Sequence, residues 1–358
     1  MKFSMHYRRA GLLLGLWALP FLGLAQAVDV QRLVKEGVAL HDADKFEAAI
    51  AKYQEALKLD PGNVMARTEM ALSYNSAGKY TEAVDVCREL VKNPTGLDPT
   101  VYVTYGNSLD DLKRSKEAAA VYEEGIKRFP TNGMLHFNLG LTHYRLGQRP
   151  AAITDLQQAA RLMPRHPSSP LYLGTFTLES GNRVAGILEV ARFLSLEPQS
   201  QRAPKQVALL DQAMQQGVSK GNGNNITISL DAGVLKNAGK KKVEPDSFGP
   251  SDMMLSMMTA LDYDDKNKGK TSTARFAEKF ASLCQNLQEM SGKRSTGFVW
   301  EYYVPYFVAM EKAGHVPAFA YLIHSSMPDQ PHVQQWLEQH PDEVKAFQEW
   351  SVAYEWTK

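Results

Sequence analysis

A few stretches of the sequence carry residue types that could do chemistry. Lys268-Gly269-Lys270-Thr271-Ser272 ends like a phosphate-cradling loop, which needs a glycine five residues before its final Gly–Lys pair so that backbone amides can curl around phosphate. That position is Asp264 and no strand pattern precedes it, so nucleotide binding is not expected there. Residues 221–226, GNGNNI, open like a dinucleotide fingerprint but carry Ile226 where the third glycine belongs, and they precede a strand pattern instead of following one. Asp262, Asp264 and Asp265 offer three carboxylates in four residues. A calcium loop of twelve residues would also want an oxygen ligand at Lys266 and a distant glutamate, and neither is there, so the cluster reads as a solvated turn. His315, His324, His332 and His340 show no pair three or four apart on one helical face, as a metal site would require; His315, after Gly314, is placed at a helix end. Cys87 and Cys284 have neither zinc-site spacing nor a catalytic-thiol signature and read as buried small hydrophobes, not as disulfide partners. With no serine in a nucleophile elbow, the sequence assigns no catalytic residue, no cofactor and no metal, and reads as a non-enzyme.

Composition narrows the classes further. The chain has 358 residues, 44% hydrophobic and 22% charged, enough for one large or two modest cores. Lys and Arg number 40 against 39 Asp and Glu, a balance that gives no field to draw the chain onto nucleic acid or an anionic membrane. Residues 1–27 read as a signal peptide: Lys2, Arg8 and Arg9 form a positive start, Gly11 to Leu24 an apolar run broken by Pro20, and Ala25-Gln26-Ala27 a small-x-small cleavage site. Cleavage would leave a chain starting at Val28, without an integral membrane segment and without a lipid-bearing cysteine near the cut. The expected location is therefore periplasmic or secreted.

The elements behind these residues repeat. Gly37, Ala71, Gly106, Gly140 and Gly174 fall 34 or 35 residues apart, and a second small residue follows each by about twelve: Ala49, Ala83, Ala118, Ala152 and Gly186. Each unit closes on a proline: Pro61, Pro94, Pro130, Pro164 and Pro198. Apolar residues lie at helical spacing, the small pair allows two helices to approach closely, and the proline stops the second helix. The pattern, clearest in KFEAAIAKYQEALKLDPGN and KEAAAVYEEGIKRFPTN, resembles the tetratricopeptide repeat family. The resemblance implies an all-α solenoid of about five helix-turn-helix units over residues 30–198, with a capping helix at 203–217, the whole solenoid spanning 28–218. The fifth unit is degenerate, with Pro170 in its first helix and Gly186 in place of alanine.

In this family the first helix of each unit lines a concave groove. Carrying that register across implies a partner-binding set of Val34, Val38 and His41; Met65, Thr68, Glu69, Leu72 and Asn75; Val103, Thr104, Asn107 and Asp110; Met134, Phe137, Asn138, Leu141 and Tyr144; and Tyr172 and Thr175. The set is apolar and amide-rich, with Arg145 its only basic neighbour, which argues against a clamp for a partner's C-terminal carboxylate. A peptide segment of another protein, held by Met, Leu, Phe and Tyr with amides fixing its backbone, is the expected ligand; packing of part of the stripe against a neighbouring helix of the same chain is the alternative.

Residues 219–250 read as a linker or irregular segment with one strand at Ile226 to Leu230 and a lysine run at Lys240, Lys241 and Lys242. Residues 251–358 read as a smaller helical domain with helices near 251–262, 272–290, 298–312, 316–325, 330–339 and 342–356, capped at Ser251 and at Thr271 or Ser272. The block FVWEYYVPYFVAM is apolar around most of its circumference, so a buried helix kinked at Pro305 is expected. The functional expectation is a scaffold or adaptor in the bacterial cell envelope. The alternative is a glycan-binding or enzymatic C-terminal domain that the solenoid positions, with the aromatics as a stacking platform; a third reading has that domain masking the groove.

Overall fold

The computed structural model describes residues 19–221, 225–229, 244–264, 267, 269–292 and 295–356. The basic start of the signal segment at Lys2, Arg8 and Arg9, residues 222–224, Lys240 to Lys242, Asp265, Lys266 and Lys268 lie outside the described residues. Among the described residues the fold is all-α apart from one short hairpin, and the chain divides into two compact units, one ending at Leu146 and the other beginning at Gly147.

The first unit holds α1 (Leu19–Asp42), α2 (Phe46–Leu59), α3 (Val64–Ser76), α4 (Tyr80–Lys92), α5 (Pro99–Asp111), α6 (Ser115–Arg128) and α7 (Gly133–Arg145). Each helix packs on the next, and α1, α3, α5 and α7 also pack on one another in succession, forming one layer. The small residues act as the spacing suggests. A Cβ on Gly37 would lie 2.4 Å from the Tyr53 ring and one on Gly106 2.2 Å from the Tyr122 ring, so each ring occupies space that only glycine leaves open. The loops repeat too. Asp44, Gly78 and Lys113 all have φ between 57° and 74°, and the amides of Lys45, Lys79 and Arg114 reach back to the carbonyls of Leu40, Tyr74 and Leu109, the closure of a helix that ends in a left-handed residue. At the other end, the side chains of Asn63, Asp98 and Asn132 accept amide bonds that cap α3, α5 and α7.

The second unit holds α8 (Arg149–Leu162), α9 (Ser168–Glu179), α10 (Arg183–Leu196), α11 (Ala203–Gln215), strands β1 (Val218–Lys220) and β2 (Ile226–Ile228), then α12 (Gly249–Ala260), α13 (Ser272–Met290), α14 (Val304–Lys312), α15 (Val316–His324), α16 (Pro331–Gln339) and α17 (Pro341–Ala353). The division falls inside the repeats, and residues on either side of 218 pack together. Every residue of α10 from Arg183 to Leu194 is buried, and the C-terminal helices supply much of that cover. The Arg183 guanidinium bonds to Asp252 (3.1 Å), to the Ser256 hydroxyl (2.8 Å) and to the carbonyls of Ala213 and Met214, joining α10, α11 and α12 in one buried network. The Tyr302 hydroxyl donates to the Ala160 carbonyl at 2.9 Å. The last repeat helices and the aromatic helices therefore share one core.

Three local expectations change. β2 pairs antiparallel with β1, with Val218 opposite Ile228, so the strand expected near 226 has a partner just after α11. Ser251 does not cap α12; it lies inside the helix with its hydroxyl buried, whereas Thr271 does cap α13, accepting from the Ala274 amide. The disturbance expected at Pro305 takes the form of a π turn over Val299–Tyr303 ahead of α14, with the Val304 amide reaching Val299. Proline has no amide for the Glu301 carbonyl, so the ladder loses an i→i+4 bond there, and a widened turn is one way a helix accommodates the gap.

Candidate functional site

The first-helix layer of the first unit carries a side-chain ladder. His41 Nδ1 lies 2.8 Å from Ser73 Oγ, Asn75 Nδ2 donates to Ser108 Oγ at 2.9 Å, and the Thr142 hydroxyl donates to Asp110 Oδ2. Two positions in the repeat supply the rungs: His41, Asn75 and Asp110 in one, Ser73, Ser108 and Thr142 in the other. The second position was missed in the sequence because a hydroxyl in a helix looks inert, yet its residues recur with the same period as the glycines. Ser108 also donates to the Thr104 carbonyl one turn back, and the single Thr142 hydroxyl proton is shared between Asp110 and the Asn138 carbonyl, which fixes both rotamers.

Between α3, α5 and α7 a recess of about 210 Å³ is lined by Asn75, Asn107, Asp110, Asn138, Leu141 and Arg145, together with Asp111 and Tyr122. Five of these come from the set read off the repeat register. Arg145 Nη1 lies 2.6 Å from Asp110 Oδ2, so the one basic side chain is spent on a carboxylate of the same chain. The Tyr122 hydroxyl, held un-ionised by burial, donates to Asn107 Oδ1 at 2.6 Å. Two polar atoms are left over: Asp110 Oδ1 and Asn138 Nδ2 are buried and have no hydrogen-bond partner. An acceptor and a donor on one recess match the two groups of a peptide bond, and leaving each unmet costs about 1–3 kcal/mol.

The rest of the expected set goes elsewhere. Val34, 5% exposed, belongs to the core cluster around Ala49 and Tyr53, with Val38 packed against it, and Val103 packs against the next cluster. Phe137 is 7% exposed, and Thr68 and Thr104 are buried. These side chains are packing, because a helix covered on both sides by its neighbours leaves only a narrow stripe for solvent. Met65 is well exposed, while Glu69, Leu72, Met134 and Tyr144 are half-buried. Burial raises the Glu69 carboxyl above its usual range, against the pull of His41. Tyr172 and Thr175 lie on α9 in the second unit, where the Thr175 hydroxyl returns to the Leu171 carbonyl and Tyr172 sits 5.9 Å from the Phe176 ring.

A family model described as tetratricopeptide repeat matches residues 34–99 and 105–170. These residues are tetratricopeptide repeats. Tetratricopeptide repeat protein 28 of Mus musculus is 31% identical over 108 residues, 30% of this chain but 4% of that protein. Small glutamine-rich tetratricopeptide repeat-containing protein 2 of Mycosarcoma maydis is 25% identical over 134 residues, 37% of each chain. This chain thus matches well under half the length of these curated relatives. Among solved structures, a thermophilic tetratricopeptide protein of Thermus thermophilus is 21% identical, with a TM-score of 0.43 over 52% of this chain and 98% of that one. The tetratricopeptide layer places the amide-rich recess on its first helices.

The other chemical candidates have structural partners. Asp262 lies 2.6 Å from Lys279 Nζ and 4.0 Å from Arg275, so its charge is met within the chain, and among the described residues no three His, Cys, Asp or Glu side chains gather to hold a metal. Both cysteines are free and buried, and burial pushes the Cys87 thiol up to about 12. His315 is the residue before α15, as its place after Gly314 suggested. Phe298, Trp300, Tyr302, Tyr303, Tyr306 and Phe307 are all buried, with Trp300 stacked on Phe248 and the others packed edge and face on neighbouring rings, so these six present no platform to a sugar.

Proposed function

We propose that this protein is an interaction scaffold whose recess on α3, α5 and α7 grips an extended segment of another protein by its backbone. The observation that carries this is the buried, unpartnered pair Asp110 Oδ1 and Asn138 Nδ2, set beside Asn75, Asn107 and Leu141. A peptide N–H offered to Asp110 and a peptide C=O to Asn138 satisfy both at once, while Leu141 provides apolar contact. Because Arg145 is engaged by Asp110, the grip is on neutral backbone and not on a terminal carboxylate.

The test is affinity capture by the full chain, set against the same chain carrying Asn138→Ala and Leu141→Ala, followed by peptides tiling whatever the wild type retains. The reading expects the bound peptide to weaken at least tenfold in the double variant with helical circular dichroism unchanged; equal binding overturns it. The setting we propose is the bacterial cell envelope, supported by the basic-apolar-small order of residues 1–27. Among the described residues no helix is long and apolar enough to cross a membrane. N-terminal sequencing of protein recovered from a periplasmic extract should begin at Val28; an uncleaved protein held in the cytoplasm overturns the assignment.

A further inference from the structure

The second unit contains a buried cation with no anion. Arg192 is 2% exposed, and among the described residues no carboxylate lies within ion-pair distance of it. Its Nη1 donates to Ser195 Oγ at 3.1 Å, its Nη2 to the Pro164 carbonyl at 3.0 Å, and its Nε has no partner. The guanidinium lies over the rings of Tyr306 (4.8 Å) and Trp356 (4.4 Å). Ring faces attract a cation, but they do not neutralise it, and an isolated charge out of water is costly to keep.

Arg192 lines a recess of about 230 Å³ between α10, α15 and α17. A second guanidinium, that of Arg165, stands at the exposed rim, where Nη2 donates to the Val352 carbonyl at 2.9 Å. Among the described residues the lining contains no acidic side chain. Gln348 supplies an amide at the mouth, while Leu196, Leu322 and Trp356 form apolar walls. Two like charges on one small recess repel each other unless an anion lies between them, and guanidinium is the group best shaped to take a carboxylate through paired N–H donors.

We propose that this recess binds a small organic carboxylate, its acid group between Arg165 and Arg192 and its apolar body against Leu196, Leu322 and Trp356. The volume lies below the range of about 300–1,000 Å³ usual for drug-sized ligands, so the acid is small. The apolar walls disfavour inorganic phosphate, which needs donors on every side. This site is separate from the peptide-binding recess, and neither reading depends on the other.

The experiment uses the full chain, titrated with benzoate, its neutral counterpart benzamide, and inorganic phosphate, read by calorimetry and by tryptophan fluorescence, since Trp356 lines the site. Benzoate is expected to bind and to change the emission, with benzamide and phosphate at least tenfold weaker. Arg165→Gln, at the exposed rim, is expected to fold with unchanged circular dichroism and to lose at least tenfold in benzoate affinity. Arg192→Met is expected to abolish binding; if it fails to fold, Arg165→Gln still decides the matter. Equal binding of benzoate and benzamide, a preference for phosphate, no binding at all, or wild-type affinity in Arg165→Gln each overturns the proposal.

Discussion

Glu189 is a carboxyl whose chemistry is strongly altered by its surroundings. It is 1% exposed with Oε2 unpartnered, and burial raises its carboxyl to about 8, a rise that the Thr177 hydroxyl opposes and Asp246 reinforces. In the unfolded chain it ionises near 4.5, so between 4.5 and about 8 the folded state holds a proton that the unfolded state has lost. Stability therefore falls as pH rises through that window, by about 1.4 kcal/mol per unit, and levels off above it. Asp246, raised to about 6 by burial although it accepts amides from Val299 and Trp300, acts in the same direction at lower pH. We predict that Glu189→Gln flattens the decline between pH 6 and 8 in denaturant midpoints; an unchanged slope would refute it. A second residue-scale prediction concerns Gly106, where a Cβ would meet the Tyr122 ring at 2.2 Å. Gly106→Ala should cost about 1–3 kcal/mol through overpacking, read from urea unfolding.

At the scale of elements, helix ends and loops repeat as faithfully as helix faces. The left-handed loop position is glycine at Gly78 but lysine at Lys113, which has φ 63° and bears the steric cost that glycine escapes. Lys113→Gly should raise stability by up to about 1 kcal/mol, and a lower midpoint would count against this account. Much of this was legible in the sequence, because small residues, prolines and apolar periodicity encode which helices form and where they touch. The buried aromatic helix was legible for the same reason: Tyr302, Tyr306 and Phe307 leave no polar face. Two things were less legible. The register identifies the groove stripe but not which of its residues neighbouring helices cover, and Val34 and Phe137 are among the covered ones. The polar rungs escaped notice because Ser73, Ser108 and Thr142 take meaning only from the side chain one repeat away.

At the scale of the molecule, changes in sequence pattern and buried packing mark different divisions of the chain. Sequence patterning changes at 219, where Gly, Asn and Lys accumulate, but cooperative packing follows buried contacts, and α8 to α11 share a core with the aromatic helices. A cut at 218 would remove Asp252 and Ser256 from Arg183 and strip the cover that the C-terminal helices give α10, exposing its apolar side chains to water. A fragment of residues 28–218 should therefore aggregate or melt well below the intact chain. Equal thermal midpoints for fragment and whole would show that the repeats stand without the aromatic helices.

The rungs joining His41 to Ser73, Asn75 to Ser108 and Asp110 to Thr142 also bear on how such a chain lengthens. Each repeat within this stretch presents one half of a rung forward and the other half backward. An inserted copy of one repeat would bond to its neighbours on both sides and orphan no polar group. Tandem duplication is thus tolerated by the hydrogen bonding itself, and growth by whole periods is the form of inheritance this layer best survives.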